Sequence, residues 1–195
     1  GLFGVNAGTI ENLTVSGTVT GKDNVGGIAG SNTGSITNCT SETAVNGADN
    51  VGGISGKNDG TITESVNKGQ VAGTGSNTGG ITGANGAAGK VTKNTNSGNV
   101  TGGNKDTTGA LIGKNDNKTP ADIAGNYYQK TDAINKGLTG IGGVSPDPAG
   151  ITSGTSPAPN GSGGSGGSGA SHGSAGSGGS RGSGGSGRAE EHTSE

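Results

Sequence analysis

A stretch of thirteen residues, VGGISGKNDGTIT at Val51–Thr63, returns along the first two-thirds of the chain. It reads VGGIAGSNTGSIT at Val25–Thr37 and, two residues longer, TGGITGANGAAGKVT at Thr78–Thr92. The opening GLFGVNAGTIE, Gly1–Glu11, enters part-way through another copy, as expected of a processed or excised piece of something longer. With Gly1, Gly27, Gly53 and Gly80 set in one column, the copies are offset by 26, 26 and 27 residues. Such self-similarity implies a stack of small units, each of which buries its apolar face only against its neighbours.

The columns give the unit its shape. Leu2, Ile28, Ile54, Ile81 and Leu111 form one, Ile10, Ile36, Ile62 and Val91 another, and Val19, Val45, Val71 and Val100 a third. Asn6, Asn32, Asn58, Asn85 and Asn115 form a polar column, and Gly4, Gly30, Gly56, Gly83 and Gly113 a bare one. Each copy thus holds three short apolar-centred runs separated by Gly, Asn, Asp and Ser, the pattern of strands joined by turns. Thr, Val, Gly and Asn dominate, and no stretch of residues 1–115 has a 3.6-residue period, which argues against helix.

Composition leaves two readings, disorder or a repeat fold, and the in-register columns favour the second. Gly supplies 48 of 195 residues, hydrophobic residues 24% and aromatics 2%, and Trp and Met are absent. A compact globule with so little apolar bulk could not offset its chain entropy. The chain is therefore expected to be an all-β solenoid of four to five coils, with three strands per repeat of 26–30 residues. Backbone ladders between coils then replace a bulky core. Ile28, Ile54 and Ile81, with Ile36, Ile62 and Val91 and the Val45 column, are expected to point inward and stack. The asparagines are expected to form ladders at a left-handed corner, Asn32 most clearly. Cys39 falls in a column with Leu13, Ser65 and Thr95 and reads as a buried packing thiol; a lone cysteine excludes an internal disulfide.

The expected organisation is a repeat domain at residues 1–143, with coils near 1–24, 25–50, 51–77 and 78–107 and a closing coil at 108–143. Tyr127 and Tyr128 lie in that closing coil, as a lid over the open end of the core or as a contact for a glycan. From residue 144 the composition becomes that of a flexible linker: Gly and Ser make up 29 of the 51 residues in 145–195.

The recurring VGG-I-x-G-x-N-x-G-x-I-x-N, with GLFG at Gly1–Gly4, VGGI at Val25–Ile28 and Val51–Ile54, and TGGI at Thr78–Ile81, resembles the GLUG motif of bacterial surface proteins. The likeness spans about residues 1–143. It implies an extracellular accessory module of the kind found in adhesins and beside immunoglobulin A peptidase domains, and it supplies no catalytic residues.

The residues themselves offer little chemistry. Both histidines, His172 and His192, lie in the Gly/Ser tail, so the repeats hold no base for a nucleophile and no HExxH zinc pair. Asp23, Asp49 and the KNDG corner at 57–60 supply oxygens but not the strict calcium nonapeptide. Thr9-Ile10-Glu11, Ser35-Ile36-Thr37, Thr61-Ile62-Thr63 and Lys90-Val91-Thr92 approximate the threonine lattice of an ice-binding face, interrupted by Glu11 and Lys90. Twelve basic and fourteen acidic residues with almost no aromatics form no nucleic-acid footprint, and no run approaches the roughly 18 apolar residues of a membrane span. The expected function is a non-enzymatic extracellular stalk or display module of a bacterial cell-surface protein, with no cofactor. The alternative is a filament subunit that self-associates through open coil edges, and a lesser one is a β-helix binding a host or cell-surface glycan or protein.

Overall fold

A computed structural model describes residues 1–155 as a parallel β-solenoid. The first coil carries β1 (Phe3–Asn6), β2 (Thr9–Glu11) and β3 (Thr14–Thr20). The second adds β4 (Asp23–Gly26), β5 (Ala29–Asn32), β6 (Ser35–Thr37) and β7 (Thr40–Gly47). In the third, β8 (Asp49–Gly52), β9 (Ser55–Asn58) and β10 (Thr61–Thr63) are followed by β11 (Val66–Asn67) and β12 (Val71–Gly73), which share the place of β7. The fourth repeats that plan with β13 (Thr78–Gly79), β14 (Thr82–Asn85), β15 (Lys90–Thr92), β16 (Thr95–Asn96) and β17 (Val100–Thr101). The fifth holds β18 (Thr108–Gly109), β19 (Ile112–Asn115) and β20 (Asn126–Gln129), and β21 (Ile151–Gly154) pairs on β20.

Strands at the same corner of successive coils form four parallel sheets. They run β1-β5-β9-β14-β19, β2-β6-β10-β15, β4-β8-β13-β18 and, on the broadest side, β3-β7 continuing to β21. The register follows the repeat: Ile10, Ile36, Ile62 and Val91 are direct partners, as are Val45, Val71 and Val100. Helix among the described residues is confined to two 3-10 turns, Lys105–Thr107 and Pro120–Ile123.

Three sequence expectations change. Each full coil has four strand positions rather than three, because VGGIAG bends at Gly27. A Cβ built on Gly27 would strike the Ser41 side chain and the Gly53 carbonyl, so the chain can turn there only on bare backbone. The bend sends Val25 and Ile28 to different interiors, so the apolar columns form two cores instead of one. Ile28, Ile36, Ile54, Ile62, Ile81 and Val91 share the larger with Cys39 and Tyr128. Val25, Val51, Val45, Val71 and Val100 form the smaller. Finally, the stack has about six turns, not four to five: Ile141 bridges to Ile112 and β21 covers β20, both beyond the repeat's readable pattern. Coil pairing accordingly continues past the composition break at residue 144. The remainder of the Gly/Ser tail, with both histidines, lies outside the described residues.

Candidate functional site

The feature that recurs most exactly from coil to coil is a column of buried amides. Asn32 and Asn58 are fully buried, Asn85 almost so, and Asn6 at the first coil is 7% exposed. Each Nδ2 donates to the Oδ1 of the next: Asn6 to Asn32, Asn32 to Asn58, Asn58 to Asn85 and Asn85 to Asn115, all at 2.8 Å. The other Nδ2 proton returns to the corner, with Asn58 reaching the Gly60 carbonyl at 3.1 Å. These residues close their strands in extended backbone. They are not the left-handed corner residues expected from sequence.

The left-handed positions belong to other columns. Asn12, Asn38, Glu64 and Lys93 have φ of 56°, 50°, 52° and 55°, and Asn24, Asn50 and Asn77 have φ of 52°, 53° and 59°. Asparagine tolerates that region, and here it adds outer ladders: Asn38 donates to Asn12 at 2.6 Å, Asn50 to Asn24 at 3.0 Å and Asn77 to Asn50 at 2.8 Å. Where Glu64 and Lys93 occupy the corner, the Lys93 ammonium lies 3.4 Å from the Glu64 carboxylate.

Two further interior columns escaped the sequence reading. Asn67 donates to Asn96 at 2.8 Å at the waist between the cores, where the Asn67 amide packs against Gly53 and the Asn96 amide against Gly80. Beside it, each side chain accepts from the backbone N–H of the coil before: Ser65 Oγ from Cys39, Asn94 Oδ1 from Ser65 and Asn126 Oδ1 from Asn94, at 3.1, 2.9 and 3.0 Å. Cys39 therefore stacks with Ser65 and Asn94; the expected Thr95 is one residue out. Spacings of 26 to 32 residues carry the signal, but varying insertions blur it.

The tyrosines separate. Tyr128 is 1% exposed and takes the position after Asn67 and Asn96 in their column. Its hydroxyl donates to Asp147 Oδ2 at 2.7 Å, and burial, then the Asp147 bond, push its pKa up to about 12. Tyr127 is half-buried beside it, facing outward with its hydroxyl over Gly154. β21 pairs on the strand that carries both rings, and with Tyr128 buried only Tyr127 is left partly exposed.

Two of the remaining candidates, Asp49 and Asp59, are occupied by structural bonds. Asp49 accepts the Ser76 N–H at 2.6 Å, and Asp59 pairs with Lys57 at 2.8 Å. Among the described residues no three His, Cys, Asp or Glu side chains converge as a metal site would require. On the sheet of β2, β6, β10 and β15, Ser35 and Thr37 hydroxyls bond each other at 3.2 Å, Thr92 donates to Thr63 at 3.0 Å, and Lys90 reaches Asp122 at 3.4 Å. This is a self-satisfied surface rather than an open hydroxyl lattice. Burial raises the pKa of the Cys39 thiol, which keeps it protonated and unreactive.

Comparison with known proteins agrees with this architecture. The family model described as the GLUG motif matches residues 23–46, which run from the start of β4 almost to the end of β7. No curated protein matches the sequence. Among solved structures, the chain is similar to a candidate immunoglobulin A1 protease from Bacteroides ovatus, at 20% identity and a TM-score of 0.50. The likeness covers 76% of this chain and 43% of that one, so the chain spans less than half of that protein's length. At that identity the likeness is one of fold. In motif and in fold, this chain is a β-solenoid bearing the GLUG motif.

Proposed function

We propose that the chain is a non-catalytic extracellular module of a bacterial surface protein, a stalk or display element that holds other parts of its polypeptide at a distance. The observation that carries this reading is the investment of the interior: Asn32, Asn58 and Asn85, fully or almost fully buried, are bonded to one another and not aimed into any cavity. A ladder of this kind fixes register and resists sliding between coils, which suits a spacer. The GLUG match and the likeness to a candidate protease of which this chain covers 43% support a module that accompanies other domains.

The test is topological. Antibodies raised against residues 1–155 are expected to label intact cells of the source organism; labelling only after permeabilisation overturns the reading. A second reading, a self-assembling subunit, draws support from the open edges of β1, β2 and β3, each paired on one side only. Electron micrographs of filaments from the purified chain would favour it.

A further inference from the structure

The last turn of the stack crosses from one side to the other without a strand. In coils one to four the chain passes from the sheet of β1 to the broadest sheet through β2, β6, β10 and β15, which pair with one another from coil to coil. Coil five makes the passage with the Pro120–Ile123 turn, which lies against β15. The sixth turn makes it with residues 143–150, which form no strand.

Both sides of that crossing are tied by backbone. Before it, the Ala110 N–H donates to the Thr139 carbonyl at 2.8 Å, the Leu111 and Ile112 N–H groups donate to the Gly140 carbonyl at 2.9 Å, and Ile141 bridges to Ile112. After it, the Asn126 and Lys130 N–H groups donate to the Gly150 and Gly154 carbonyls at 3.0 and 2.7 Å as β21 pairs on β20. Gly143 and Gly150 bracket the crossing with φ of 70° and 89°, angles that glycine adopts without steric cost.

One side chain fastens the crossing itself. Asp147 is half-buried, and its two oxygens accept from different elements: Oδ2 from the Tyr128 hydroxyl at 2.7 Å and Oδ1 from the Gly140 N–H at 2.6 Å. Tyr128 belongs to β20 and Gly140 to the tied base of the last turn, so a single carboxylate joins the crossing to both. Bonds to a charged acceptor are stronger than those between neutral amides. Where the repeat supplies a strand, the last turn supplies Asp147.

We infer that residues 143–154 are a strap, latched by Asp147 and hinged at Gly143, that lifts off β20 as one unit while the solenoid beneath stays folded. Its hold consists of the β21 ladder, the buried Ile151 side chain and the Asp147 latch. Each inner coil is held through four sheets, so the strap opens at a lower free energy than the stack. Opening bares the edge of β20 from Asn126 to Gln129 as an acceptor for a parallel strand; closed, the chain fills that edge with its own β21.

Hydrogen exchange of single amides, read by nuclear magnetic resonance on the full chain, tests this without a substitution. Asn126 and Lys130 report the strap, Ile112 reports the base at Gly140, and Ile54, whose N–H donates to the Ile81 carbonyl at 2.9 Å, reports the inner coils. Asn126 and Lys130 are expected to exchange at one common rate, about a hundredfold or more above Ile54, with Ile112 within about tenfold of Ile54. Tyr128→Phe keeps the ring and removes the donor, and is expected to speed the strap pair about tenfold; Asp147→Ala, which loses both bonds, is expected to speed it further. Neither variant is expected to move Ile54 by more than about twofold. Graded fraying, with Ile112 midway between Lys130 and Ile54, overturns the inference. A strap pair as slow as Ile54, or unmoved by both variants, overturns it too. It also fails if Asp147→Ala speeds Ile54 and Lys130 by the same factor, because the carboxylate then supports the whole stack and latches nothing.

Discussion

Replacing Asn58 with alanine interrogates the ladder at its centre. The Asn58 side chain is fully buried. Its Oδ1 accepts from Asn32 Nδ2 at 2.8 Å, and its Nδ2 donates to Asn85 Oδ1 at 2.8 Å and to the Gly60 carbonyl at 3.1 Å. Truncation removes the side-chain donor of Asn85 Oδ1 and one acceptor of Asn32 Nδ2, far from water. The Gly60 carbonyl is less affected, because it also receives the Lys90 N–H at 2.8 Å. Two buried groups left short at ~1–3 kcal/mol each, plus the cavity of the lost amide, give a destabilisation of about 3–5 kcal/mol. Asn6→Ala removes the same type of side chain where water reaches from the open face, so about 1 kcal/mol is expected there. Urea denaturation followed by far-ultraviolet circular dichroism measures both, and exchange mass spectrometry of each coil shows whether the loss is local, as it can be in a stacked array. Equal costs for the two variants would refute the claim that the ladder's contribution comes from burial. Asn58→Asp sharpens the test: a carboxylate accepts from Asn32 but cannot donate to Asn85 Oδ1. That variant is expected to be weakest at neutral pH and to recover in acid, where the protonated group can donate.

Other consequences follow from single contacts. Thr78 Oγ1 is buried without a hydrogen-bond partner, in a column where Val51 is its neighbour. Thr78→Val is expected to raise stability by about 1 kcal/mol, whereas Thr108→Val, whose hydroxyl donates to the Asn104 carbonyl at 2.5 Å, is expected to lower it by a similar amount. For Tyr128, the folded protein holds the proton up to about pH 12, while an unfolded tyrosine loses it near ~10. The resulting stability is fully present below the unfolded value and is lost as pH rises through the folded one. Denaturation midpoints of the native chain are therefore expected to fall more steeply than those of Tyr128→Phe across that window. Cys39 is expected to react with a thiol reagent only on unfolding, so that its labelling rate in graded urea reports opening of the second coil; rapid labelling of the native chain would contradict its burial.

What the sequence determines by itself is whatever the repeat makes redundant. Ile28, Ile54 and Ile81 stand 26 and 27 residues apart, and so do Asn32, Asn58 and Asn85. A parallel stack is the arrangement that brings each set into contact, so solenoid, register and inward columns were legible without coordinates. Local conformation within a coil was not. Whether VGGIAG is one strand or two depends on Ser41 and the Gly53 backbone approaching Gly27 from other parts of the stack, and the division into two cores follows from that bend. Asparagine pattern alone likewise could not tell an amide that bridges coils in the interior, as Asn58 does, from one that holds a left-handed corner outside, as Asn50 does. Both positions favour the same residue for different reasons, one for its paired donor and acceptor and the other for its tolerance of positive φ. The closing turns were hidden for a related cause: once repetition ends at Asn115, the placement of Ile123, Tyr128, Ile141 and Ile151 is decided by which open surface of the last repeat each can cover. Only the stacked coils define that surface.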